Sequence, residues 1–239
     1  MTGARVRVAL VPPAPGALPA DACAVAIDVL RATTTLAVAR QHGAARVVPF
    51  ATPAEALEFR RRTPGALACG EREGRIVEGF DLGNSPTEFT RERVNGKTLA
   101  FASTNGSRAL LAASRCRRRL LGSFAALSAT CDALARERDI WLVCAGKLGR
   151  FALEDAACAG TIAARLAARG AELANPDARV AASLACADAD EIQAVVAGCD
   201  HGRWLATLGA AFAADVEFCA RLDALGSVED WGEVASARP

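Results

Sequence analysis

The chain has no tyrosine, two histidines and one methionine among its 239 residues, and these scarcities remove whole classes of chemistry. A metal centre built on several histidines cannot be assembled from His42 and His201 alone. His42 precedes Gly43 at the end of a predicted helix, where a capping role suffices, and His201 lies in the turn-like stretch Cys-Asp-His-Gly-Arg. Neither offers the Arg-rich pocket that a phosphohistidine mechanism needs. A charge surplus is missing too: 28 Lys and Arg against 27 Asp and Glu leave a net charge of +1. That balance argues against nucleic acid or an anionic membrane as partner, because both demand excess positive charge. The basic run from Arg115 to Arg119 reads as a solvated edge leading into a strand.

Paired cysteine spacing is also lacking. Nine cysteines are scattered singly, none in a C-x-x-C arrangement, so neither a zinc site nor a disulfide framework is indicated. Several lie in apolar runs, where a reduced thiol behaves as a small hydrophobe. The expected compartment is therefore a reducing cytoplasm. No apolar segment has the length of a membrane span or the form of a signal peptide.

What is present is an alternation of short apolar runs with helical patterns. Strands are predicted at 5–11, 23–29, 45–50, 66–69, 97–102, 118–122 and 140–144, each bounded by Gly or polar residues. Continuous runs such as Cys-Ala-Val-Ala-Ile suit strands covered on both faces. Helices are predicted at 33–41, 107–114, 125–136 and 153–169. Thr52-Pro53-Ala54-Glu55 is a capping box with proline at the first helical position, and Ser85-Pro86-Thr87-Glu88 has the same wording. Beyond Gly170 the chain is Ala-rich and helical, broken near Asn175-Pro176 and Gly198–Gly202. The expectation is an α/β fold over 1–239: a mainly parallel or mixed sheet flanked by helices in three layers, with a helical C-terminal third.

In open α/β sheets ligands bind beyond the carboxyl ends of strands, and four turns there carry unusual polarity. Asp28 ends an apolar run and could hold a hard cation, while Arg31 and Thr33-Thr34-Thr35 open a helix that could receive an anion. Glu71 and Asp81 lie in a Gly-dense stretch and are candidate oxygen donors for Mg²⁺; Arg72 adjoins them, and Asn84 and Ser85 follow at a helix start. Thr104-Asn105-Gly106-Ser107-Arg108 joins strand to helix with groups that could cradle phosphate. Cys144, Gly146 and Lys147 form the fourth turn, where small residues permit close approach of a ligand. Glu154 and Asp155 follow it, and stabilising a helix start explains them about as well as metal binding.

The wording and order of these motifs resemble the 2-phosphosulfolactate phosphatase family. The resemblance rests on Ile-Asp-Val-Leu-Arg-Ala-Thr-Thr-Thr, Gly-Glu-Arg-x-Gly with Gly-Phe-Asp-Leu-Gly-Asn-Ser-Pro, Thr-Asn-Gly, and Cys-Ala-Gly with Phe-x-Leu-Glu-Asp. It runs from about Asp28 to Gly160, with Asp215-Val216-Glu217-Phe218-Cys219 also similar. Ser103 stands where the family pattern has threonine, and it keeps the hydroxyl. The resemblance implies Mg²⁺-dependent hydrolysis of 2-phospho-3-sulfolactate, or a related phosphorylated hydroxy acid, to sulfolactate and phosphate in coenzyme M biosynthesis. It would make Asp28, Glu71 and Asp81 the metal ligands and, with Arg31, the catalytic group. Thr33, Thr34, Asn84, Ser85 and the residues 104–107 would hold phosphate, and Arg72, Arg108 and Lys147 the other anionic groups. The partner is thus a small anionic phosphorylated molecule, and a homodimer is compatible with this reading.

Competing chemistries are weaker. Cys69 and Arg75 have the C-x₅-R spacing of a cysteine phosphatase, but Glu71 and Glu73 inside that loop would repel phosphate. Asp28 is followed by Val29-Leu30, so the D-x-D pair of haloacid-dehalogenase-type phosphatases is absent at this position. Cys144 remains an alternative nucleophile to a metal-bound water. A non-catalytic binder of a phosphorylated metabolite is the alternative from another class, although no G-x-G-x-x-G or Walker sequence supports nucleotide binding.

Overall fold

The computed structural model describes residues 3–228 and 230–232. In chain order its elements are β1 (Arg5–Ala9), β2 (Cys23–Ile27), α1 (Ala32–Gln41), β3 (Arg46–Pro49), α2 (Pro53–Arg62), β4 (Leu67–Arg72), β5 (Arg75–Ile76), α3 (Arg91–Val94), β6 (Thr98–Ala102), α4 (Gly106–Ala113), β7 (Arg118–Gly122), α5 (Leu127–Ala133), β8 (Asp139–Cys144), α6 (Leu153–Ala168), β9 (Glu172–Leu173), α7 (Pro176–Ala182), α8 (Ala189–Gly198), α9 (Asp200–Thr207) and α10 (Ala210–Cys219). All seven predicted strands are present, and among the described residues after Gly170 the regular elements are helices, ending at Cys219, apart from the two-residue β9. The α/β class and the dominance of parallel pairing are as expected.

The strands divide between two sheets. One is wholly parallel in the order β7-β2-β8-β1-β9; the other runs β3-β6-β4-β5, with only the β4–β5 pair antiparallel. β2 occupies an inner position, paired with β7 and β8, and all five of its residues are buried. Its side chains still alternate. Cys23, Val25 and Ile27 join a core with Leu120, Leu142 and helix α6, whereas Ala24 and Ala26 join Leu36 of α1 and Leu110 of α4. That second core also takes Leu99 and Phe101 from β6, so α1 and α4 lie between the two sheets. The opposite face of β6, Ala100 and Ala102, packs with Ala56 of α2. The expected helix–sheet–helix layering is therefore built twice, with α1 and α4 shared.

Local signals explain the element starts. Thr52 accepts from the Glu55 amide and the Glu55 carboxylate accepts from the Thr52 amide, which is the predicted capping box. Ser85 does not repeat it. Pro86–Glu88 is a single 3₁₀ turn, Glu88 accepts from the Gly83 amide, and the Ser85 hydroxyl is directed to Asp215. The β4–β5 hairpin turns through Glu73 (φ 51°) and Gly74 (φ 76°), the two left-handed residues that a tight primed turn requires. Among the described residues no helix is long and apolar enough to cross a membrane.

Candidate active site

The carboxyl ends of β2, β4 and β6 and the loop after β8 open onto one cavity of about 430 Å³. Asp28 follows β2 directly. Its Oδ1 accepts from the Ala32 amide at the first turn of α1, so the helix amino end faces the carboxylate. Burial is the main influence on Asp28 and pushes its pKa up to about 6; the charge of His201 opposes that shift, and Glu71 and Glu154 reinforce it. Gly106 lies against the same carboxylate: a Cβ there would sit 2.7 Å from Asp28 Oδ2 and overlap Ala32 Cβ. Only glycine lets α4 begin this close.

Glu71 comes from the second sheet. Its Oε2 accepts from the Gly74 amide at 2.8 Å and its Oε1 from the Thr104 amide at 2.7 Å, so one side chain ties the hairpin to the loop after β6. Thr104 and Asn84 complete this wall. Thr104 Oγ1 and Asn84 Oδ1 are buried and have no hydrogen-bond partner among the described residues, an arrangement that costs free energy unless a ligand supplies one. Lys147 lines the cavity from the β8 loop, its ammonium 4.4 Å from the Trp204 ring centroid. Asn105 is also at the rim and accepts from the Leu148 amide.

Arg31 lines the cavity but is not free. Its Nη1 meets Asp215 Oδ2 at 2.5 Å, its Nη2 donates to the Gly74 carbonyl at 2.6 Å, and the guanidinium lies 5.0 Å from the Phe212 ring. Ser85 donates to the other Asp215 oxygen at 2.6 Å. Both charges are almost wholly buried. Such a pair fixes the guanidinium in place more than it strengthens the fold.

Several sequence-predicted site residues lie elsewhere. Asp81 accepts from the Ala68 amide and pairs with Arg60 outside the cavity, because the loop that carries it turns back along β4. Of the expected trio of carboxylates, Asp28 and Glu71 line the cavity. Thr33 and Thr34 are occupied with backbone: Thr33 bonds Gly122 O and both backbone groups of Asp28, and Thr34 bonds Val29 O. Ser107 exchanges hydrogen bonds with Ser103 to seal the start of α4. Arg72 bonds the carbonyls of Glu71 and Ala51, and Arg108 is an exposed residue outside the lining. Cys144 lies in the core at the end of β8, its thiol pushed well above the ordinary range first by burial and then by Asp155. That is the opposite of an activated thiolate. Cys69 is likewise buried and raised, which disfavours the cysteine-phosphatase reading.

Asp155 holds the two loops together, accepting from the Val29 amide at 2.8 Å and the Gly146 amide at 3.0 Å. Burial, then Glu154 and Asp28, raise its pKa well above the usual carboxylate range. The C-terminal helices supply what sequence reasoning missed. His201 is the second residue of α9 rather than a turn residue; it lines the cavity and bonds Glu154 Oε1 through Nδ1 at 3.1 Å. Burial pushes Glu154 up, but the hydrogen bond and charge of His201 outweigh it and leave the carboxyl below its ordinary value. Asp215 was visible only as part of a family-like stretch. No local signal marks either side chain as functional, since each is one polar residue on a short helix.

Comparison with known proteins places the chain in a family. The 2-phosphosulpholactate phosphatase family profile matches residues 12–232. A protein of Synechococcus sp. (strain JA-3-3Ab), described as a probable 2-phosphosulfolactate phosphatase, is 40% identical over 218 residues, covering 90% of this chain and 89% of that one. A Thermotoga petrophila protein of the same description is 40% identical over 205 residues, 86% of this chain and 87% of its own. A Carboxydothermus hydrogenoformans protein so described is 39% identical over 211 residues, covering 88% and 86%. The chain belongs to the 2-phosphosulfolactate phosphatase family.

Proposed function

We propose that the chain is a Mg²⁺-dependent phosphatase that hydrolyses 2-phospho-3-sulfolactate, or a closely related phosphorylated hydroxy acid, as in coenzyme M biosynthesis. The observation that carries this reading is the meeting of Asp28, Glu71, Asn84 and Thr104 at one cavity, four oxygen-bearing side chains from four separate segments. Two of those oxygens are buried without a partner among the described residues. Family membership supports the reaction class.

The donor set suits Mg²⁺. Among the described residues no group of three or more His, Cys, Asp or Glu side chains gathers to hold a metal. Mg²⁺ does not require such a cage; it is commonly held by one or two carboxylates, with waters and substrate phosphate filling the octahedron. Asp28 and Glu71 would hold it, with the oxygens of Asn84 and Thr104 available to the ion, its waters or the phosphate. When bound, the ion would offset carboxylate charge and polarise the phosphoryl group. Electrostatics favours this arrangement, because a phosphate dianion brought against two bare carboxylates would be repelled.

The remaining roles follow from the chain's own groups. Lys147 would present a positive charge, stacked on Trp204, to the substrate's acidic groups. Arg31 presents a fixed one, oriented by Asp215 and Gly74. The Asp28 carboxylate, aligned by the α1 amino end, is placed to bind the reacting centre. Positioning and charge neutralisation lower the barrier for phosphoryl transfer, with little covalent work required of the protein.

The test is phosphate release from 2-phospho-3-sulfolactate and a panel of other phosphoesters, with Mg²⁺ or with EDTA. Release that depends on the metal is expected. Tight binding of these esters without release from any would replace the enzyme by a binding protein.

A further inference from the structure

We propose that His201 is a catalytic general acid that protonates the leaving alcohol oxygen, with Glu154 as its positioning residue; this rests on the phosphatase reading of the cavity. His201 reaches the site from the first turn of α9, a helix whose Trp204 and Leu205 lie beside Gly74 of the hairpin that follows Glu71. Its Nδ1 is taken by the buried Glu154 carboxylate at 3.1 Å, so Nε2 is the ring nitrogen left to meet a ligand. A carboxylate on one imidazole nitrogen sets the tautomer and the ring direction for the other. Glu154 is itself fixed in the first turn of α6, beside the Asp155 clamp.

Position favours the leaving-group side. His201, Lys147 and Leu148 stand at the junction of the Asp28 cavity with a second cavity of about 700 Å³, whose walls include Arg150 as well as Arg203 in its ion pair with Asp200. An ester phosphate held at Asp28 and Glu71 would extend its acidic alcohol portion past His201 towards Lys147 and Arg150. His201 and Asp28 line the same cavity, which brings the imidazole to the reacting centre.

The chemical need is specific. A secondary alkoxide is a poor leaving group, and proton donation in the transition state is worth roughly 10²–10⁴-fold. In the step, the bond between phosphorus and the ester oxygen breaks and its electron pair stays on that oxygen. A water oxygen forms the new bond to phosphorus. The Nε2 proton passes to the leaving oxygen, and one proton of the attacking water restores the imidazolium, giving alcohol and hydrogen phosphate.

The experiment compares kcat/KM for wild type, His201→Ala, His201→Gln and Glu154→Gln on 2-phospho-3-sulfolactate, phenyl phosphate and p-nitrophenyl phosphate, with Mg²⁺ present. Both His201 variants are expected to lose about 100-fold or more on the alkyl ester but less than about 10-fold on p-nitrophenyl phosphate, whose leaving group needs no proton. Glu154→Gln should show the same bias in smaller measure. Any misfolded fraction lowers all rates alike and cancels from the ratio between esters. Added imidazole should restore part of the alkyl-ester activity of His201→Ala. Equal losses across the esters, or no loss, or no imidazole rescue if wild type accepts only the alkyl ester, would overturn the proposal. Absence of phosphate release by wild type from all three would instead sink the phosphatase reading itself.

Discussion

Replacing Asp215 by alanine isolates the cost of holding Arg31 inside the fold. The Arg31 and Asp215 side chains are 4% and 3% exposed, so solvent screens their interaction little. The guanidinium would keep the Gly74 carbonyl and the Phe212 face, and the Ser85 hydroxyl would lose its acceptor. Removing one member of such a pair costs about 3–5 kcal/mol, because a buried charge is left uncompensated. For a chain of this size that corresponds to a fall in Tm of roughly 6–20 °C. Urea and thermal unfolding of Asp215→Ala, Asp215→Asn, and the double variant Arg31→Met with Asp215→Leu give the comparison. Asp215→Ala should be the least stable, Asp215→Asn less affected, and the double variant close to wild type in stability yet severely impaired on the anionic substrate. A loss below about 1 kcal/mol in Asp215→Ala would refute the claim that the pair is sealed from solvent.

Three further outcomes follow from the same geometry. Gly106→Ala should cost about 1–3 kcal/mol through overpacking against Asp28 and Ala32, with a fall in kcat/KM of at least about tenfold; unchanged kinetics would show that α4 does not abut the carboxylate. Asp81→Ala should destabilise by about 1–3 kcal/mol by stranding the Ala68 amide, while the Mg²⁺ concentration for half-activation stays as in wild type; a tenfold rise in that concentration would return Asp81 to the metal site. Asp28 titrates near 6 in the fold against about 3.9 in an unfolded chain, so the folded state binds its proton more tightly. Its contribution is therefore full below pH 4 and is lost as pH rises to 6 in metal-free protein. Asp155 acts in the same direction, so Asp28→Asn should shrink the fall in urea midpoint over that window without abolishing it; an undiminished fall would contradict the assignment.

Strand positions were legible because apolar runs bounded by glycine need little context. β5 and β9, two residues each, carry no periodic signal, and the division into two sheets depends on which strands pair. At the site, Asp28 and Glu71 were legible as carboxylates at strand ends. The Gly-rich neighbourhood of Asp81 suggested a ligand, whereas in the fold its oxygens close a loop onto β4 outside the cavity lining. Thr33, Thr34 and Ser107 were read as anion donors, but buried hydroxyls near helix starts are taken first by backbone groups. His201, Trp204 and Asp215 stayed hidden because their place over the strand ends arises from packing of α9 and α10, which no local pattern records.

The central claim is that Asp28 organises a metal-dependent phosphatase site. Phosphate release from 2-phospho-3-sulfolactate by wild type and Asp28→Asn, each titrated with Mg²⁺, tests it most directly. The account predicts Mg²⁺-dependent release by wild type, and a loss of at least about 100-fold in the variant that added metal does not restore, as expected when a charged group at the reacting centre is neutralised. Wild-type activity that persists in EDTA, or an Asp28→Asn variant as active as wild type, would contradict it.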